Sequence, residues 1–242
     1  MIGRVFLMAA CASLMGGCAN GAPRGQFSRV LANAPGAAQP SELVAREIAM
    51  LQCAKEIGQV EAMAEFAADG AMVLAETGEI PVSDLRTLRG DWRAASWTPK
   101  SVWVSCDARF AVSEGRFAAA DGKVGDYVTT WREDSSGDYV WVHNAATLDD
   151  PQPEKVPLAA ARDDEIVVEA LISVKGHVTD CDRPAGSPPP GAAPMRETLS
   201  PDGRLSWRWS TSGPERIFRL YAWTEGAWTL VLDRQWPLER SK

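Results

Sequence analysis

The sequence predicts an α+β protein, with helices first and a strand meander after them. Two observations carry this class. Apolar residues recur at helical spacing between about residues 41 and 94, and from Ser101 the pattern changes to a period of two. Short Asp- and Gly-containing joins between the later runs then mark hairpins.

Ser41 is placed to cap "ELVAREIAMLQCAKEIG", where Val44, Ile48 and Leu51 fall at helical spacing and Gly58 ends the run. "QVEAMAEFAAD" predicts a second, short helix closed by Asp69-Gly70, and "AMVLAE" a short strand. "PVSDLRTLRGDWRAA" predicts a third helix, capped by Ser83 and ending near Ala94. Four strands follow over Ser101–Cys106, Arg109–Ala118, Gly125–Arg132 and Asp138–Thr147, joined by Asp107-Ala108, "AADGKV" and "EDSSGD".

"DDPQPEKVP" interrupts the pattern after residue 150. "EIVVEALISV" alternates as a strand does, with a helix as the alternative, and residues 163–182 are expected to pack on the main sheet. "DRPAGSPPPGAAP" contains five prolines and is a linker rather than an element. Three strands close the chain: Arg204–Thr211, Glu215–Trp223 and Ala227–Asp233. In the first, Leu205, Trp207 and Trp209 share one face, opposite Arg204, Ser206 and Arg208. Trp207 and Trp209 read as buried in a small sheet with Leu220, Trp228 and Leu230, the alternative being an exposed sugar-stacking platform. The domain plan is therefore residues 41–150, then a β-rich extension over 151–242 with a Pro-rich linker at 183–194. The last strands either continue the main sheet or dock as a small module.

The N-terminus says where the chain is expected to work. Arg4 precedes an uncharged run from Val5 to Met15, as in an export signal, and that run is too short to span a bilayer. The following "LMGGC" resembles the lipobox of bacterial lipoproteins, with Met15 in place of the more usual Leu. The resemblance implies a signal peptide over 1–17 and lipidation of Cys18. Residues 18–40, rich in Ala, Gly and Pro, then form a tether. Ala19 does not resemble the inner-membrane retention signal of enterobacterial lipoproteins, which implies the outer membrane, on the periplasmic side. Cleavage near Ala22, giving a soluble periplasmic protein, is the alternative.

An oxidising compartment permits a disulfide. Of Cys53, Cys106 and Cys181, the pair Cys106–Cys181 is preferred, because Cys53 lies in a predicted helix and behaves as a small buried hydrophobe. Three free thiols are the alternative. The chain's 45% hydrophobic content supports a substantial core, and ten Trp make indoles its main packing or binding groups. A formal charge of −7 disfavours nucleic-acid backbones and anionic lipid surfaces as partners.

Three stretches carry a further resemblance: "SVWVSCDARFAVSEGRF", "DGKVGDYVTTWRED" and "GDYVWVHNAATL". Their features are Trp103, Ser105-Cys106-Asp107, Gly115, Asp121-Gly122, Gly125, Thr130-Trp131 and Trp141-Val142. Together they resemble an exported bacterial branch of the nuclear transport factor 2-like superfamily, also called SnoaL-like or ketosteroid-isomerase-like, over about residues 41–150. The resemblance implies a cone-like fold, three N-terminal helices on a curved antiparallel sheet. Enzymes of the superfamily transfer protons with Asp, His or Tyr inside the cone. The branch ends its last meander strand in an Asp-His-Gly-Asp run, and the corresponding Asn144–Thr147 has neither the acids nor the His.

Nothing in the chain matches a nucleophile elbow, Walker loop, dinucleotide fingerprint or zincin helix. His143, in phase with Tyr139 and Trp141, is the candidate base, with Tyr127 or Asp126 assisting. Glu114 and Asp126 lie in strands, where a carboxylate needs solvent or a partner. Asp149-Asp150 and Asp163-Asp164-Glu165 read as solvated acids. His177 and Cys181, flanked by Asp180 and Asp182, supply too few ligands for a zinc site, so neither metal nor cofactor is expected. Trp103, Tyr127, Trp131 and Trp141 are the candidate lining of a ligand pocket.

The expected function is an envelope-anchored, non-enzymatic lipoprotein that binds a small apolar ligand or an envelope protein. The alternatives are a pocket enzyme performing proton transfer, isomerisation or dehydration, and a homodimeric structural module. Polar groups converging in an open cavity favour the enzyme, and a cavity filled by indoles favours the scaffold.

Overall fold

The computed structural model describes residues 38–87, 94–154, 173–182, 184, 186–189, 195–211 and 213–238. The signal peptide, Cys18, nearly all of the tether and most of "EIVVEALISV" lie outside the described residues. Among the described residues no helix is long and apolar enough to cross a membrane.

Two α-helices open the fold: α1 over Pro40–Ile57 and α2 over Gln59–Glu65. Pro40 sits in the first turn, where its missing N–H has no helical partner to lose, so α1 starts ahead of Ser41. Gly58, at φ 101°, separates the helices, and its N–H bonds the carbonyl of Ala54. The buried stripe of α1 is Leu43, Glu47, Met50 and Cys53. It is turned about one residue from the Val44, Ile48, Leu51 stripe, so that Ile48 is exposed and Glu47 is buried.

Eleven strands are described: β1 Ala67–Ala75, β2 Gly78–Pro81, β3 Ala94–Val104, β4 Phe110–Ala119, β5 Val124–Glu133, β6 Tyr139–Leu148, β7 Lys175–Val178, β8 Arg196–Leu199, β9 Leu205–Ser210, β10 Glu215–Thr224 and β11 Ala227–Pro237. Seven make one sheet in the order β2-β1-β6-β5-β4-β3-β7, and four make another in the order β11-β10-β9-β8. The large sheet is mixed, because β1 runs parallel to β6 and β7 parallel to β3.

This architecture corrects the expected α+β cone of three helices on a curved antiparallel sheet. Strands dominate, the main sheet is mixed, and a second sheet packs on it. The third helix is replaced by a 3-10 helix over Val82–Thr87, and Ala94, its expected end, is the first residue of β3. Helical spacing in that stretch competes with pairing to β4, which holds Ala94–Val104 extended along most of its length. The short "AMVLAE" strand is also longer, since β1 takes in Ala67–Gly70 and shifts register between Ala67 and Met72.

The strands of the large sheet separate two cores. Toward the helices lie Leu43, Met50, Phe66, Leu85, Trp131 and Trp141. On the opposite face Leu74, Val112, Val128 and Ala145 meet Leu205, Trp207, Phe218 and Leu220 of the small sheet. Trp207 and Trp209 are thus buried between sheets. The C-terminal strands dock face to face on the main sheet rather than extending its edge, while β7 does extend it. Cys106 and Cys181 are bonded, with Cα atoms 5.3 Å apart, and fasten the chain after β7 to the turn after β3. Cys53 is buried and outside this disulfide, its Sγ donating to Glu65 Oε2 at 3.8 Å.

Candidate functional site

Between the helices and the large sheet lies a cavity of about 600 Å³. Apolar side chains supply most of its wall, among them Met63, Ile80, Leu85, Trp97 and Phe117. Exposed Asp121 and Lys123, from the β4–β5 turn, line the same cavity and mark where it meets solvent. They pair with each other at 2.9 Å.

Two glycines make room for the cavity's aromatic rings. Gly115 pairs with Tyr127 across β4 and β5, and Gly125 pairs with Phe117. A Cβ on Gly115 would stand 2.7 Å from the Tyr127 ring and 2.2 Å from the Thr98 carbonyl oxygen. One on Gly125 would stand 2.6 Å from the Phe117 ring. Each ring therefore lies over a strand position that only glycine can occupy.

Within this lining sits a buried polar network. Glu47 is 1% exposed. Tyr127 Oη donates to Glu47 Oε2 at 2.8 Å, and Ser113 Oγ donates to Glu47 Oε1. Trp131 Nε1 donates to Ser113 Oγ at 2.9 Å. The direction of this chain follows from Trp131, whose indole can only donate. Ser113 Oγ accepts that hydrogen bond and donates its own to Glu47, so two donors, Ser113 and Tyr127, converge on the carboxylate and Trp131 orients one of them. Burial outweighs these hydrogen bonds and pushes the Glu47 carboxyl up to about 7. Burial and the neighbouring Glu47 charge hold the Tyr127 phenol well above its ordinary value.

A second polar pair lines the cavity. Asn144 Nδ2 donates to Thr129 Oγ1 at 2.9 Å. Thr129 follows Tyr127 by two residues on β5, so both face the cavity.

Of the expected pocket residues, Tyr127 lines the cavity. Trp131 lies behind it, fully buried, and orients Ser113. Trp141 is also fully buried and donates to the Met63 carbonyl at 2.7 Å. Trp103 sits on the other side of the sheet, near the inter-sheet core, where it stacks on His177 with centroids 4.0 Å apart.

His143 does not line the cavity. A register shift between Thr130 and Trp131 leaves Val142 as an extra residue between Trp141 and His143. That bulge breaks the alternation that places His143 with Tyr139 and Trp141, and turns its ring to the inter-sheet layer. There it meets Trp209 at 4.9 Å, and burial pulls its pKa down to about 4. Asp126 is likewise elsewhere. It pairs with Arg116 at 2.9 Å, and Arg116 also grips Asp149 in a second ion pair. Glu114 pairs with Arg234 of the small sheet.

Cys181 is committed to its disulfide, and among the described residues no group of three or more His, Cys, Asp or Glu could hold a metal. The residues that sequence reasoning missed are Glu47, Ser113, Thr129, Asn144 and Trp97. The only available signal for Glu47 is its spacing of four from Leu43 and three from Met50, which places it on their face of α1. No family model matches the chain, and a search of curated proteins finds no significant relative.

Proposed function

We propose that the protein is a binding module that takes a small, largely apolar molecule between its helices and its main sheet, and holds it by a hydrogen bond at the Glu47–Tyr127 pair. One observation carries the reading: a cavity of about 600 Å³, within the range of small-molecule sites, has an apolar wall and a polar pair set into it. The indoles of Trp131 and Trp141 pack behind the wall and do not plug the space. The export signal and Cys18 motif support placing this module on the periplasmic side of the cell envelope, tethered by lipid.

An environment-sensitive apolar dye tests the binding reading. It should bind the mature chain with a fluorescence increase. Ala146→Trp, which fills the cavity from β6, should abolish the increase while leaving the far-UV circular dichroism unchanged. Equal binding by the filled variant would overturn the reading. For the anchor, the wild-type protein should partition into detergent and Cys18→Ala into water. Equal partitioning would return the soluble periplasmic alternative.

The raised Glu47 carboxyl favours a second reading, proton transfer. A carboxyl near neutrality in an apolar cavity can take a proton from a carbon beside a ketone and return it. Deuterium exchange into an aromatic ketone, followed by NMR, should then proceed with the wild type and stop in Glu47→Gln. Exchange at the buffer rate with both leaves binding alone.

A further inference from the structure

Of the polar groups that line the cavity, the Tyr127–Glu47 and Asn144–Thr129 pairs sit one pleat apart on β5 and β6, and their spacing describes the occupant. We propose that the cavity selects a neutral, flat, apolar molecule bearing two hydrogen-bonding groups at opposite ends, one read by Tyr127 and Glu47 and the other by Asn144 and Thr129. This deepens the binding reading above and rests on it.

Three observations lead here. First, Tyr127 and Thr129 share the cavity face of β5, and residues two apart on a strand stand roughly 7 Å apart. Across β5 and β6, Thr129 pairs with Asn144 and Tyr127 with Ala146. The second polar pair is therefore one pleat from the first, with the small Ala146 beside it leaving space for a ring. Second, the donors at the first station are already used. With Glu47 ionised, above about pH 7, Tyr127 and Ser113 both direct their protons at it, so the phenol oxygen is left to accept. The group bound there is a donor, which makes it a hydroxyl rather than a ketone. Third, the Asn144 amide gives one N–H to Thr129 and keeps a carbonyl and a second N–H. It can read either a hydroxyl or a carbonyl at the far end.

Charge narrows the class. The groups bonded to Glu47 are neutral Ser113 and Tyr127, so among the described residues no cation bonded to it would receive an anionic ligand. The lysine at the opening is paired with Asp121. Phe117, Val73, Ile80 and Leu85 add apolar wall to the same cavity, which suits fused rings better than a sugar.

Titration calorimetry with four probes on the mature chain tests this: naphthalene, a naphthol, the naphthalenediol with hydroxyls on opposite rings, and a naphthylmethylamine. The diol should bind about five- to tenfold tighter than the naphthol, as one further hydrogen bond allows. Asn144→Leu and Thr129→Val, of similar shape to the originals, should each bring the diol down to the naphthol's affinity. Tyr127→Phe should reduce naphthol to the level of naphthalene. Equal binding of naphthalene, naphthol and diol overturns the two-station inference but leaves the apolar binding module standing. Tightest binding by the amine overturns it also, since Glu47 would then be reading a cation. No binding by any probe overturns the binding reading, and the inference with it.

Discussion

Glu47 and His143 titrate in opposite senses over the same pH range. The folded protein holds the Glu47 proton up to about pH 7, whereas an unfolded chain releases it near 4.5. The native state therefore binds more protons in that interval, and stability from Glu47 is lost as pH rises through it. His143 is the reverse. Its native pKa is about 4 against an ordinary 6.5, so its contribution is present above 6.5 and is lost as pH falls toward 4. In the wild type the two slopes offset each other. Denaturant midpoints measured across this range should vary weakly for the wild type, fall with rising pH for His143→Gln, and rise with pH for Glu47→Gln. At pH 8 Glu47→Gln should exceed the wild type by on the order of 3 kcal/mol, because it no longer holds an ionised carboxyl in the core. Parallel profiles for all three proteins would show that neither group is shifted as its burial requires. Neither group's environment is legible in the sequence. The Val44, Ile48, Leu51 stripe leaves Glu47 aside and alternation makes His143 a pocket residue, and a one-residue offset changes both, a rotation in α1 and a bulge in β6.

At the scale of elements, the meander is the part the sequence states most clearly. Alternation with Asp/Gly turns locates β4, β5 and β6 to within about two residues, since period-two patterning is a local property of a half-buried strand. The cavity depends on how β4 and β5 pair. Gly115→Ala would drive a methyl into the Thr98 carbonyl and the Tyr127 ring. It should destabilise the protein by about 1–3 kcal/mol and weaken dye binding, readable in one thermal scan with and without dye. Unchanged binding would mean that the ring moves without consequence. The edge strand β7 is held by four residues of pairing and by the Cys106–Cys181 bond, which closes a separation of 75 residues. Removing the bond in Cys106→Ala/Cys181→Ala should cost roughly 4 kcal/mol in the chain-entropy account, and a reducing agent should lower the wild-type melting temperature but not the variant's.

The whole molecule is three layers: helices, seven strands, four strands. Arg216 joins the two sheets. It rises from β10, 1% exposed, and its Nη1 donates to the carbonyls of Leu74 at 2.6 Å and Ala146 at 3.1 Å. Its Nη2 has no hydrogen-bond partner among the described residues, and Glu76 approaches it at 3.8 Å. Leu74, Glu76 and Ala146 all line the cavity, so the small sheet braces the cavity wall from behind. Arg216→Leu should leave two buried carbonyls unpaired and cost roughly 3 kcal/mol, with apolar dye affinity falling alongside stability. A variant as stable as the wild type would show that the sheets are held by their apolar contact alone. That contact is substantial, since Trp207, Phe218 and Leu220 are each no more than 2% exposed.

The sequence by itself determined the local features: the first helix, the meander strands and the alternation of β9. These depend on periodicity and turn chemistry, which act over a few residues. Tertiary structure alone decided the mixed sheet, the face-to-face docking of the C-terminal strands and the identity of the polar residues in the cavity. Glu47 meets Ser113 and Tyr127 across 66 and 80 residues of chain. Helical spacing puts Glu47 on the face of Leu43 and Met50 but does not supply its partners. Only the fold brings up the donors that make its burial tolerable, and so only the fold makes the site.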